Sequence, residues 1–198
     1  MDELTSLARA AGRGDRDALA RFVHQTQGDV WRFCAHLVDP AAADDLTQET
    51  YLRAIPALGR FRGDAPVRAW LLTIARRACA AEIDTRARDR QLSARLAAEP
   101  AAGLPPSAPE PAQRAAISQL LAALEPDRRA AFVLTQMIGC SYAEAAKVCG
   151  CPVGTIRSRV ARARADLDAM LAEPKTPATP REATGGTGPS GLRSEQKT

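Results

Sequence analysis

Along most of this chain, apolar positions recur at intervals of three and four, the repeat of helices that bury one stripe each. Leu4, Leu7, Ala8 and Ala11 predict a short helix ending near Gly12 and Gly14. From Asp15 to Asp39 a longer one turns Leu19, Phe22, Val23, Val30, Phe33, Cys34 and Leu37 inward. Asp39-Pro40 stops it, because proline disfavours helical backbone in the residue before it. The segment DDLTQETYLRAI, Asp44 to Ile55, predicts a third helix, with Pro56 interrupting or bending it. Leu46, Thr50 and Ala54 share one face of that helix while Gln48, Tyr51 and Ile55 share another, so it has two neighbours. After a turn at Arg60 to Pro66, with Gly63 and Asp64 as turn residues, Trp70, Leu71, Ile74 and Ala75 open a fourth helix. Ile117, Leu120, Leu121 and Leu124 lie on a fifth, and Pro126 begins a sixth with Phe132, Val133, Met137 and Ile138, capped by Gly139.

The stretch SYAEAAKVCGCPVGTIRSRVARAR, Ser141 to Arg164, carries the sharpest local signals. Ser141 and Glu144 have capping-box spacing, so a helix begins there. Gly150 turns the chain, and Pro152 stands where a second helix can start without needing its amide. On that helix Ile156, Val160, Ala163 and Leu167 form the core stripe, and Ser158, Ala161, Arg162 and Ala165 form the opposite face, flanked by Thr155 and Arg157. Four arginines and no acid lie between Pro152 and Arg164. Short side chains admit a helix close to a groove floor, and arginines reach guanine edges and phosphates. The segment therefore predicts a helix-turn-helix that reads DNA rather than a merely solvated amphipathic helix.

Composition narrows the picture. Aromatic residues make up only 4% of the 198, which favours an all-α fold over sheets. Two small helical domains are expected: residues 1–98, then a Pro-rich linker at 99–112 with five prolines, then 113–172. Residues 173–198, rich in Pro, Gly and Thr, lack the apolar surface to fold and are expected to be disordered. Of the 27 basic residues 24 are arginine, and the formal charge is +4, which suits a polyanionic partner. The first domain is electrically polarised: Arg60 to Arg95 holds nine arginines against four acids, and Asp29 to Glu49 one arginine against five acids. Phe61 and Trp70 in the basic part can take unstacked bases. The acidic helix suits a protein partner.

Other chemistries are weaker. Asp44, Asp45 and Glu49 could begin a divalent-metal nuclease site, but no second acidic cluster completes it. Cys140, Cys149 and Cys151 contain no C-x-x-C pair, and the odd total of five cysteines points to reduced thiols. His24 and His36 have no second ligand at helical spacing. No catalytic residue, metal or cofactor is expected. The charged start and the lack of a run of about twenty apolar residues imply a cytoplasmic protein without a membrane segment.

DDLTQETYLRA, FRGDAPVRAWLLTIARR and SYAEAAKVCGCPVGTIRSRVARAR, in that order and spacing, resemble the bacterial RNA polymerase sigma factors of the extracytoplasmic-function (ECF) type. The resemblance implies two helical domains, region 2 and region 4, and no enzymatic activity of their own. It implies that the chain binds core polymerase and directs promoter recognition, melting and initiation. Asp45, Gln48, Glu49, Tyr51 and Ile55 match positions that grip the β′ clamp helices. Ala57, Phe61, Ile74 and Arg77 match the pocket and loop for a flipped-out base of the minus-ten element, and Trp70 an aromatic at the fork of the opening duplex. Thr155, Arg157, Ser158, Arg159, Ala161 and Arg162 become the contacts to a minus-thirty-five element. Part of region 4 is expected on the β flap, and an anti-sigma factor is a further candidate partner. The alternative is a stand-alone regulator that binds palindromic operators as a dimer, for which a symmetric apolar interface would be needed.

Overall fold

The computed structural model describes residues 3–63, 65–96 and 112–172. The expected linker, apart from Ala112, the expected disordered end from residue 173, and Asp64 of the expected turn lie outside those residues. Eight α-helices and no strand occur among the described residues: α1 (Glu3–Gly12), α2 (Arg16–Leu37), α3 (Pro40–Ala57), α4 (Val67–Leu96), α5 (Ala112–Ala123), α6 (Pro126–Phe132), α7 (Tyr142–Cys149) and α8 (Val153–Ala172). The all-α expectation holds.

Local chemistry explains most boundaries. The Asp15 carboxylate accepts the Ala18 amide hydrogen at 3.0 Å and starts α2. Asp39 does the same for α3, accepting from the Ala42 amide at 2.8 Å, with Pro40 in the first turn. The third helix thus begins before Asp44, where the apolar repeat alone had put its start. Pro56 does not interrupt it: the helix runs to Ala57, and the hydrogen bond that Pro56 cannot donate falls in the final turn. Glu125 caps α6 by accepting from the amides of Asp127 and Arg128. α6 continues into a π-type stretch, Val133–Met137, which turns Leu134 fully into the core.

α1 to α4 pack around Phe22, Val30, Phe33, Val67, Leu71 and Leu72, and α5 to α8 around Leu134, Val133 and Ile156. Each such side chain contributes about 1.5–3 kcal/mol on burial. Four of the five free cysteines are buried among them. At the end of α1, a Cβ on Gly12 would stand 2.7 Å from the Leu58 carbonyl oxygen, so glycine is what lets α1 meet the 3-10 turn Leu58–Arg60. That turn delivers Phe61 to Trp70. The two halves also touch, with α4 along α7 and α2 against α5 and α6.

Candidate nucleic-acid interface

The reading helix is set by its turn. Ser141 Oγ accepts the Glu144 amide hydrogen at 3.2 Å, and Glu144 Oε2 accepts from the Ser141 amide at 2.8 Å, completing the capping box. Gly150 takes the left-handed conformation, φ 65°, and Cys151 N–H donates to the Ala146 carbonyl at 3.1 Å, closing α7 so that α8 crosses it. Ile156, Val160 and Ala163 are buried against α6 and α7, which leaves Arg157, Ser158, Ala161 and Arg162 exposed on one face. Thr155 is half-buried at the edge of that face, and its carbonyl accepts from Ser158 Oγ at 2.9 Å. Arg159 departs from the expectation. It turns away from the exposed face, donates to Cys151 Sγ at 3.5 Å and forms an ion pair with Asp127.

The first half presents a second cationic face. Trp70, on the first turn of α4, meets Phe61 with ring centroids 5.2 Å apart and planes tilted by 49°. Beside them Arg53, Ala57, Trp70, Ile74 and Arg77 line a hollow of about 360 Å³, within the span of roughly 300–1,000 Å³ common for small-molecule pockets. Four of the five residues matched to base capture and melting therefore line one hollow, and Phe61 packs on its wall. Arg53 escaped the sequence reading because it was assigned to the acidic helix. Its Nε donates to Glu49 Oε1 at 2.6 Å, one turn back on the same helix.

On α3 the structure corrects the expected protein-binding face. Asp45, Gln48 and Ile55 are exposed and Glu49 is half-exposed. Tyr51 is only 8% exposed, and its hydroxyl lies 2.6 Å from Thr26 Oγ1. It joins Leu46, Thr50 and Ala54 on the buried side, because a tyrosine three residues from Gln48 can equally face the core. Leu52, 62% exposed, takes its place outside. Asp44, at the other end of this strip, accepts from Trp31 Nε1 at 2.8 Å. Among the described residues no cluster of three or more metal-ligating side chains occurs, and no helix is long and apolar enough to cross a membrane.

Burial pushes the Tyr51 phenol up to about 12. A folded-state value above the usual 10 or so means the hydroxyl's contribution is complete below that pH and is lost as pH rises through the folded value. Tyr51→Phe is expected to cost about 0.5–1.5 kcal/mol in urea unfolding and to remove this alkaline step. Binding of the protein partner expected on the outer face of α3 should be unaffected, whereas a loss of that binding would restore Tyr51 to the outer face.

Two arginine-bearing faces on separate helical units, one holding an aromatic hollow and the other a helix-turn-helix, define a DNA-binding protein with two unlike modules. The chain matches the family described as sigma-70 region 2 over residues 22–89 and that described as sigma-70, region 4, over residues 114–167. It is 47% identical to the "Probable RNA polymerase sigma-C factor" of Mycobacterium bovis over 180 residues, 87% of this chain and 91% of that one. It is 34% identical to the "RNA polymerase sigma-H factor" of Pseudomonas aeruginosa, covering 83% of this chain and 92% of that one. Among solved structures it resembles CnrH in complex with the cytosolic domain of CnrY, with TM-score 0.66 and 29% identity, covering 86% and 97% of the two chains. It also resembles the sigma factor RpoE from Bartonella quintana in complex with the anti-sigma factor NepR, with TM-score 0.64, 30% identity and coverage of 77% and 96%.

The chain belongs to the ECF group of RNA polymerase sigma factors. Its function is that of a sigma factor: binding core polymerase and directing it to promoter DNA for initiation. A stand-alone dimeric regulator is not favoured, since the correspondence spans both modules.

Proposed function

We propose that promoter recognition by this sigma factor is divided between the two faces. Region 2, residues 1–98, captures an unpaired base of the minus-ten element in the hollow of Ala57, Trp70, Ile74 and Arg77, with Phe61 buttressing Trp70. Region 4, residues 113–172, reads the minus-thirty-five element as duplex through Arg157, Ser158, Ala161 and Arg162, with Thr155 at the edge. The exposed strip Asp45, Gln48, Glu49, Leu52 and Ile55 engages the β′ clamp helices, and part of region 4 engages the β flap. Residues 99–112 tether the halves. The chain works in the cytoplasm and performs no catalysis itself.

The observation that carries this reading is the convergence of Ala57, Trp70, Ile74 and Arg77, drawn from two helices, on one hollow. The physics suits it. Melting costs roughly one to two kcal/mol per base-pair step, while each captured base returns about one to three. Trapping therefore requires the polymerase and the duplex anchor as well. Because CnrH and RpoE are described in complexes with CnrY and NepR, an anti-sigma factor is a fitting further partner. Run-off transcription with purified core polymerase on fragmented host DNA tests the reading: discrete transcripts that depend on this chain are expected, and their absence would overturn it.

A further inference from the structure

α1 lies outside residues 22–89, the span of the region 2 match, yet it fits closely against the turn that carries Phe61. It is fixed along its whole length. At its start Glu3 pairs with Arg21 of α2 at 2.8 Å, and further along Leu7 and Ala8 are buried in the core. At its end Gly12 backs onto the turn, where a Cβ would stand 2.7 Å from the Leu58 carbonyl oxygen and 2.8 Å from the carbonyl carbon. Both are backbone atoms, so no side-chain rotation relieves that clash and the turn itself would have to move. Arg9, about one turn earlier on α1, reaches to the far side of Phe61: a Cβ on Gly63 would come 2.7 Å from Arg9 Nη2.

One oxygen joins this fit to the hollow. The Leu58 carbonyl that Gly12 abuts is also the acceptor for the Phe61 amide, at 3.0 Å. Phe61 meets Trp70, and Trp70 lines the hollow with Ala57, Ile74 and Arg77. A shift of the Leu58 carbonyl therefore moves the anchor of Phe61, and through the ring pair the wall of the hollow. Small shifts count, because a gap of roughly 0.5–1 Å already forfeits about a quarter to a half of a contact's dispersion attraction.

We propose that α1 is a positioning strut for strand capture, in which Gly12 and Arg9 hold the two ends of the Leu58–Gly63 turn and so aim Phe61 and Trp70. Both are positioning residues that act through the turn and not on the base. The inference rests on the base-capture reading above.

The test uses holoenzyme and two fluorescent probes cut from a promoter that run-off transcription identifies: the non-template strand across the minus-ten element, and a duplex ending upstream of that element. Gly28→Ala is the baseline, a glycine of α2 whose Cβ would meet nothing within 4 Å. Relative to it, Gly12→Ala and Arg9→Ala are expected to bind the single strand roughly five- to one-hundredfold more weakly while binding the upstream duplex and core polymerase equally well. On a Trp70→Ala background, Gly12→Ala should add little further loss, since the ring it aims is gone. Equal loss on both probes, or a loss that adds in full to that of Trp70→Ala, would reduce α1 to general support of the fold and overturn the strut. Should Gly12→Ala fail to fold, Arg9→Ala carries the same comparison. Trp70→Ala without effect on the single strand would sink the base-capture reading and the strut with it. An effect of Trp70→Ala alone, with Gly12→Ala and Arg9→Ala both silent, would sink only the strut.

Discussion

Reversing the charges of Asp45 and Glu49 together is expected to abolish holoenzyme assembly while leaving the helical spectrum and unfolding midpoint unchanged. Neither carboxylate supports the core: Asp45 is exposed, and among the described residues Glu49 pairs with Arg53 one turn away, a surface contact worth about 0.3–0.5 kcal/mol. At an interface the balance differs, because truncating one partner of a buried charge pair costs about 2–5 kcal/mol and like charges brought together repel. Two reversals beside the exposed Leu52 and Ile55, at carboxylates that the assembled interface covers, therefore exceed a hundredfold in affinity, given that 1.4 kcal/mol is about tenfold. Titration of labelled core polymerase reads this directly. Assembly at wild-type affinity would remove α3 from the polymerase interface.

Replacing Arg162 with alanine is expected to weaken promoter binding by about 1–3 kcal/mol at a single base position. The side chain stands on the exposed face of α8 beside Ala161, whose small methyl group would, on the proposed reading, let the helix approach a groove floor. Arg164, one turn from Val160, is instead drawn to Gln136 Oε1 at 2.5 Å, and Arg159 to Asp127. Arg157 and Arg162 are thus the arginines of α8 left outside these contacts. Binding of holoenzyme to duplexes carrying each base in turn distinguishes the outcomes: loss confined to one position marks base reading, and equal loss on every sequence marks phosphate contact only.

What the sequence made legible follows from the range of the forces involved. The capping box at Ser141, the left-handed Gly150 and the core stripe of α8 depend on neighbours within a few residues, and all three appear where spacing put them. The start of α3 was missed although Asp39 and Pro40 carried it, because a residue that stops one helix can cap the next. Tyr51 was misassigned for a different reason. Periodicity says which residues share a face but not which face finds the core, and Thr26, the partner that decides it, lies on another helix. The contact between the halves is further from reach. Arg76 and Asp127 are 51 positions apart, and Arg129 meets a backbone carbonyl at Leu37 that no side-chain pattern announces.

The gathering of Phe61, Trp70, Ile74 and Arg77 was legible only in part. Trp70 sits on an apolar stripe and would serve equally well as core; what distinguishes it is the glycine-dependent approach of α1 to the turn before Phe61. Arg53 shows the converse, a residue of the acidic helix whose side chain faces the hollow.

Permanganate mapping of unpaired thymines on a promoter fragment, with core polymerase and this chain together, bears most directly on the division between a strand-capturing half and a duplex-reading half. Reactive thymines confined to the minus-ten region, upstream duplex protection, and loss of reactivity with Trp70→Ala are the expected result. A fragment that stays fully paired, or one protected as an inverted repeat by this chain without polymerase, would contradict it.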